Sequence, residues 1–227
     1  MSKQTILYSN HIGANAKMVD FAGFMMPISY EDGIVKEHFW VRQNCGIFDV
    51  SHMGQLFITG KDAEKFLRKV TPVSFANAIN STARYTVLTT REGTVIDDLI
   101  ITKFADDRFF VVINAACIDK DINWLKKQSA EFDVVIESIE NRSLIAVQGP
   151  KALQVIADLI DENVDSISYM HAREDNHQKY ADIIVSRTGY TGEDGFEVSI
   201  GNDKASQFWQ DLLSNDNVKP IGLGARD

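Results

Sequence analysis

Apolar and polar positions along the chain switch repeatedly between a period of two and a period near 3.6. Residues 32–44 carry Ile34, Val35, His38, Phe39 and Arg42 at helical spacing, with Asp32 placed to cap the start and Gly46 to stop it. This predicts an amphipathic helix. Residues 47–54 read as a strand running into a turn, and residues 55–59 as the next strand. Residues 62–69 predict a helix that turns Ala63, Phe66 and Leu67 inward. Residues 84–90 and 94–103 predict a hairpin about Arg91, Glu92 and Gly93, and 108–114 a further strand behind an Asp106-Asp107 turn. Residues 117–129 predict a helix burying Ile118, Ile122, Trp124 and Leu125, and 132–136 a closing strand. The order β-α-β-β-β-α-β is that of an α+β layer, a twisted antiparallel sheet with helices on one face.

A second copy of this pattern is visible. Residues 56–67 and 145–156 both run strand, glycine (Gly60, Gly149), two residues, alanine (Ala63, Ala152), then an apolar helix face. Further strands and a second helix follow each. The later helix, 204–213, carries Ala205, Phe208, Trp209 and Leu212 at core spacing. Two readings stay open: two related ferredoxin-like units, or strand–glycine–helix junctions that merely look alike.

Asp97 and Asp98 are the sharpest chemical feature. They sit in the apolar run 95–101, where neighbours point to opposite faces of a strand, so each shares its face with apolar residues. A carboxylate there is costly unless paired or hydrogen-bonded. Satisfying both faces at once is harder than satisfying one, so one of the two is expected to face a cavity and act on a ligand. The segment 189–198 has glycines at 189, 192 and 195, a spacing that matches neither a dinucleotide fingerprint nor a P-loop. It reads either as a tight hairpin or as backbone held close to a flat ligand, with Tyr190 above it and Glu197 at its edge.

Composition narrows the classes. The chain has 227 residues, 44% apolar and 24% charged, with a net charge of −9. These are globular values, and the acidic balance argues against nucleic acid as a partner. No apolar run is long enough for a membrane span or a signal peptide. Cys45 and Cys117 are too few for a disulfide scaffold, and cytoplasm is the expected location. The five histidines show no i,i+4 pair and no H-E-x-x-H, so no metal is expected. His52 and Cys45 read as packing residues.

Seven stretches together carry a resemblance: MVDFAG at 18–23, GIFDVSHMG at 46–54, VIDDLI at 95–100, VINA at 112–115, VQGP at 147–150, SRTGYTGEDGFE at 186–197 and GLGARD at 222–227. In this order they resemble the T-protein family of the glycine cleavage system, tetrahydrofolate-dependent aminomethyltransferases. The resemblance implies transfer of a one-carbon unit to tetrahydrofolate from the aminomethyl group on a lipoyl carrier, the H-protein, with release of ammonia. It implies that Asp98 is the central carboxylate, bonding the folate amines and handling charge and protons. It implies that Glu197 binds the pterin edge, where a carboxylate can accept two parallel N–H donors. By the same resemblance Tyr85, Asn114, Tyr169 and Tyr190 line a folate cavity, Met53 lies on its wall, and Arg226 pairs with an anionic group of the ligand.

The implied domains are a discontinuous folate-binding domain, 1–53 with 140–227, and a second α+β domain over 54–139. Family chains continue well past the GLGARD motif. This chain stops inside it, so the family's C-terminal domain is expected to be missing and the chain to be a truncated form. Two other classes compete. One is another folate enzyme of the superfamily, such as the folate domain of dimethylglycine or sarcosine oxidases or a sulfonium demethylase. The other is a non-enzymatic folate binder, whose Lys-Gly-Cys-Tyr motif does not occur here.

Overall fold

A computed structural model of the chain describes residues 2–226. It forms two compact units: residues up to His52, Asn141–Tyr169 and those from Arg173 onward make the first, and Met53–Glu140 with Met170–Ala172 the second. The first unit opens with β1 (Lys3–Gln4), α1 (Tyr8–Gly13), β2 (Lys17–Phe21), β3 (Phe24–Ser29), α2 (Gly33–Gln43) and β4 (Cys45–Asp49). The second holds β5 (Gly54–Thr59), α3 (Ala63–Val70), β6 (Ala83–Thr89), β7 (Val95–Ala105), β8 (Arg108–Ile113), α4 (Ile118–Gln128) and β9 (Val135–Ser138). The chain then returns through β10 (Arg142–Gln148), α5 (Ala152–Leu159), β11 (Ala172–His177), β12 (Ala181–Ser186), β13 (Gly195–Gly201), α6 (Asn202–Leu213) and β14 (Val218–Pro220).

The second unit is an antiparallel sheet in the order β6-β7-β8-β5-β9. One face carries Leu56, Ile58, Leu99, Ile101, Phe109, Val111 and Ile113, and packs on Phe66, Leu67 and Val70 of α3 and Leu125 of α4. The first unit has the order β11-β12-β13-β10-β4-β14, with β14 parallel to β4. Its core joins Ile145, Val147, Val185, Phe196, Val198 and Ile200 to α5 and α6 through Val155, Ile156, Phe208 and Trp209. A small sheet, β1-β3-β2, completes it.

The repeat is real. β5-α3-β6-β7-β8-α4-β9 and β10-α5-β11-β12-β13-α6-β14 follow one order, and the two sheets differ by β4 inserted beside β10. The junction glycines share a backbone conformation, φ +124° at both Gly60 and Gly149. A Cβ would come within 2.3 Å of the Asp133 carbonyl oxygen at Gly60 and 2.2 Å of the Asn44 carbonyl oxygen at Gly149. Only glycine fits.

Four expectations need correction. Helix α2 turns Glu37 and Val41 inward and leaves Ile34, Val35 and Phe39 exposed. Glu37 is drawn in because its carboxylate accepts the backbone N–H groups of Tyr30 at 2.6 Å and Gly222 at 2.7 Å. Helix α4 buries Asp121 beside Leu125, with Trp124 only half-buried. The closing strand starts at Val135 rather than Phe132, because the Phe132 ring packs against Phe66 before pairing begins. Strand β7 is also not covered along its whole length, since Val95 is 64% exposed.

Candidate functional site

Each unit presents a cluster on the sheet face opposite its apolar core. In the second unit the register decides which residues share that face. Tyr85 pairs with Ile100 and Val87 with Asp98, Ile100 pairs with Val112, and Gln55 with Val112. Directly paired residues point to the same face, and side chains two apart do likewise. Asp98 and Tyr85 therefore point away from the α3–α4 core; Met53 directly precedes β5 and Asn114 directly follows β8. Asp97 points the other way, towards α4. The Asn114 amide nitrogen donates to Asp98 Oδ1 at 3.1 Å, to the Asp98 carbonyl at 3.1 Å and to Asp97 Oδ1 at 3.2 Å. It fixes the pair from the neighbouring strand end. Asp98 is partly buried, and Tyr85 is 65% exposed.

In the first unit Glu197 shares its face with Ala146 and Ser186, opposite the apolar core. Its Oε2 accepts the Thr188 hydroxyl at 2.6 Å, and Arg226 Nη2 lies 3.6 Å from Oε1. The Arg226 guanidinium stands 5.4 Å from the centre of the Tyr190 ring. Glu197, Arg226 and Tyr190 thus form one cluster. Tyr169 is 71% exposed. A cavity of about 350 Å³ lies beside the cluster, lined by His38, Val41, Arg42, the 189–192 turn, Ala225 and Arg226; Glu197 does not line it.

The glycine-spaced segment is built around a buried amide. Gln148 donates to the carbonyls of Thr188 at 3.0 Å and Phe196 at 3.3 Å, and accepts the Thr191 hydroxyl at 2.8 Å. A Cβ on Gly189 or Gly195 would strike the Gln148 side chain, at 2.0 Å and 2.5 Å. Arg187 closes the loop with two bonds to Asp194, at 2.9 and 2.6 Å. The glycines thus serve close approach to Gln148, which sets the turn that carries Tyr190.

His52 and Cys45 are packing residues. The His52 ring packs edge-on against Phe21, and burial pushes its pKa down to about 4. Burial pushes the Cys45 thiol up to about 12, so it is inert at neutral pH. Among the described residues no group of three or more His, Cys, Asp or Glu is arranged to hold a metal ion, and no helix is long and apolar enough to cross a membrane.

The family model described as the GCVT N-terminal domain matches residues 7–227. The chain belongs to this family. An aminomethyltransferase of Chloroherpeton thalassium is 42% identical over 234 residues, which cover 99% of this chain and 63% of that protein. The crystal structure of glycine cleavage system aminomethyltransferase T from Bartonella henselae matches with a TM-score of 0.93 and 36% identity, over 100% of this chain and 61% of that one. The chain therefore spans a little under two thirds of the length of these relatives. For the fold alone, heterotetrameric sarcosine oxidase from Corynebacterium sp. U-96 gives a TM-score of 0.55 at 14% identity, over 80% of this chain.

Within this GCVT-domain chain, several organising residues escape a reading of the sequence. No pattern in the sequence singles out Asp121, Glu37 or Gln148. The glycines at 189 and 195 marked a turn but not the amide against which it closes.

Proposed function

We propose that this chain is the folate-handling part of an aminomethyltransferase that moves a one-carbon unit from the aminomethyl-lipoyl arm of a carrier protein to tetrahydrofolate, releasing ammonia. The observation that carries this is the 42% identity, along 99% of the chain, to a protein named aminomethyltransferase. The geometry supports it, because Tyr85 and Asp98 share the sheet face opposite the α3–α4 core and Asn114 donates to Asp98.

In this reading Asp98 is the catalytic carboxylate. It bonds the folate amines, stabilises positive charge as the methylene is captured, and takes or gives a proton. Asn114 holds it by donating to Oδ1. Glu197 accepts N–H donors of the pterin edge. Its oxygens keep lone pairs for this beyond the Thr188 bond. Arg226 offers its charge to an anionic group of the ligand, and Tyr190, which stacks with it, supplies an aromatic wall. Tyr85 and Tyr169 supply aromatic surface, and Met53 an adaptable apolar one. The H-protein as carrier, tetrahydrofolate as co-substrate, the discontinuous 1–53 with 140–227 folate-binding domain beside 54–139, and a cytoplasmic location belong to the same proposal.

The test is tetrahydrofolate-dependent ammonia release from aminomethyl-loaded carrier protein. Asp98→Asn keeps the shape and the bond from Asn114 but loses the charge, so kcat is expected to fall by about 10²–10⁴-fold. An Asn variant as fast as the parent would overturn the role of Asp98.

A further inference from the structure

On the helix-covered face of the second unit's sheet, directly behind Asp98, three carboxylate oxygens are buried with no donor. They are both oxygens of Asp121 and Oδ2 of Asp97. Asp121 is 0% exposed. The two carboxyls lie within hydrogen-bonding reach of each other, one from β7 and one from α4. The groups around them do not supply what is missing. The Lys120 ammonium is 3.8 Å from Asp121 Oδ1, too far for a hydrogen bond, and gives its short bond, 2.7 Å, to the Ile96 carbonyl. The Cys117 thiol, a weak donor, reaches Asp97, and the Asn114 amide is taken by Asp97 Oδ1 and by Asp98.

Two ionised carboxylates facing each other in such a place are two acceptors without a hydrogen. One proton makes one of them a donor and satisfies both. We infer that Asp97 and Asp121 share a single proton at neutral pH, and that this pair, tied to Asp98 through the Asn114 amide, is a positioning element that holds Asn114 against Asp98. The shared proton leaves the pair with one negative charge. The electrostatics agree in direction. Burial, then the facing Asp97, pushes the Asp121 carboxyl up to about 7. Asp97 is held low: burial opposes this, but the bonds from Asp121 and Asn114 outweigh it.

The bearing of this pair on catalysis rests on the role proposed for Asp98, but the experiment is blind to catalysis, so either claim can fail alone. The carboxyl carbons of Asp97 and Asp121 are followed by NMR in the full chain, labelled at aspartate, from acid to alkaline pH. The expected result is a titration step near neutral pH in which Asp97 and Asp121 move together. In Asp121→Asn, whose amide can still donate to Asp97, the neutral step disappears from Asp97. A merely structural carboxyl at 121 would leave the Asp97 titration unchanged. Ordinary acid-range ionisation of both Asp97 and Asp121 would overturn the inference, as would a neutral step at Asp97 that survives in the variant. If Asp121→Asn does not fold, the parent's titration decides: coincident neutral steps in the two support the pair, and their absence overturns it.

Discussion

Asp49 is a carboxylate with no exposure at all, and donors converge on it. The Thr5 hydroxyl lies at 2.7 Å, His11 Nε2 at 2.9 Å and the Ser51 backbone N–H at 2.9 Å, while His11 Nδ1 meets the Tyr30 hydroxyl at 2.8 Å. Burial alone would raise the acid's pKa, but the bonds from His11, Ser51 and Thr5 outweigh it and hold it below the usual range. Removing a partner strands the charge. His11→Ala is expected to cost about 3–5 kcal/mol in urea unfolding at neutral pH, and Thr5→Val about 1–2 kcal/mol. A His11→Ala cost below about 1 kcal/mol would show that the network is not holding a charge. Because the folded acid is depressed, its contribution is present above pH ~4 and is lost as pH falls through its folded value. At this scale the sequence exposed the problem but not its solution. Two adjacent aspartates in an apolar strand raised the expectation that one faces a cavity, yet alternation alone could not choose. The choice of Asp98 came from family resemblance, and the strand register then turned Asp97 towards α4.

Among the elements, the strand–glycine–helix junctions were the most legible, because their constraint is local. Gly60 and Gly149 each need positive φ and an absent Cβ, and a motif twelve residues long records both needs. Gly149→Ala and Gly60→Ala are each expected to destabilise their own unit by at least about 3 kcal/mol, from left-handed strain plus the carbonyl clash. A loss of under about 1 kcal/mol at both positions would mean that the junctions relax freely. Helix α2 was misread for the opposite reason. Its inward residue, Glu37, answers to Tyr30 and to Gly222, which lies 185 positions away in sequence. A helical period scores apolar faces and cannot see a backbone donor delivered from so far along the chain. The same blindness hid Asp121, whose partner Asp97 stands on a strand. The glycine-spaced segment lay halfway between. Its turn was visible, but the amide of Gln148 that shapes it was not.

Taken over the whole chain, the two units respond to pH with opposite sign. Asp121 is raised to about 7 against an unfolded value near 4. The second unit therefore holds an extra proton when folded, and loses stability as pH rises from about 4 to 7. His52 is lowered to about 4 against an unfolded value near 6.5. The first unit excludes a proton when folded, and gains stability as pH rises from about 4 to 6.5. For His52 the slope is on the order of 3 kcal/mol across its window. Urea unfolding at pH 4.5 and pH 7, followed through amide signals of β8 and β13 separately, should show the β8 midpoint falling and the β13 midpoint rising; Asp121→Asn should flatten only the first and His52→Phe only the second. Two midpoints that shift in the same direction would contradict the assignment. The central claim is the role proposed for Asp98 towards tetrahydrofolate. Its most direct measurement is the titration of tetrahydrofolate into the chain while the carboxyl carbon of Asp98 is observed by NMR. The Asp98 signal is predicted to shift saturably. Saturation of the protein with the Asp98 carboxyl unmoved would contradict the account.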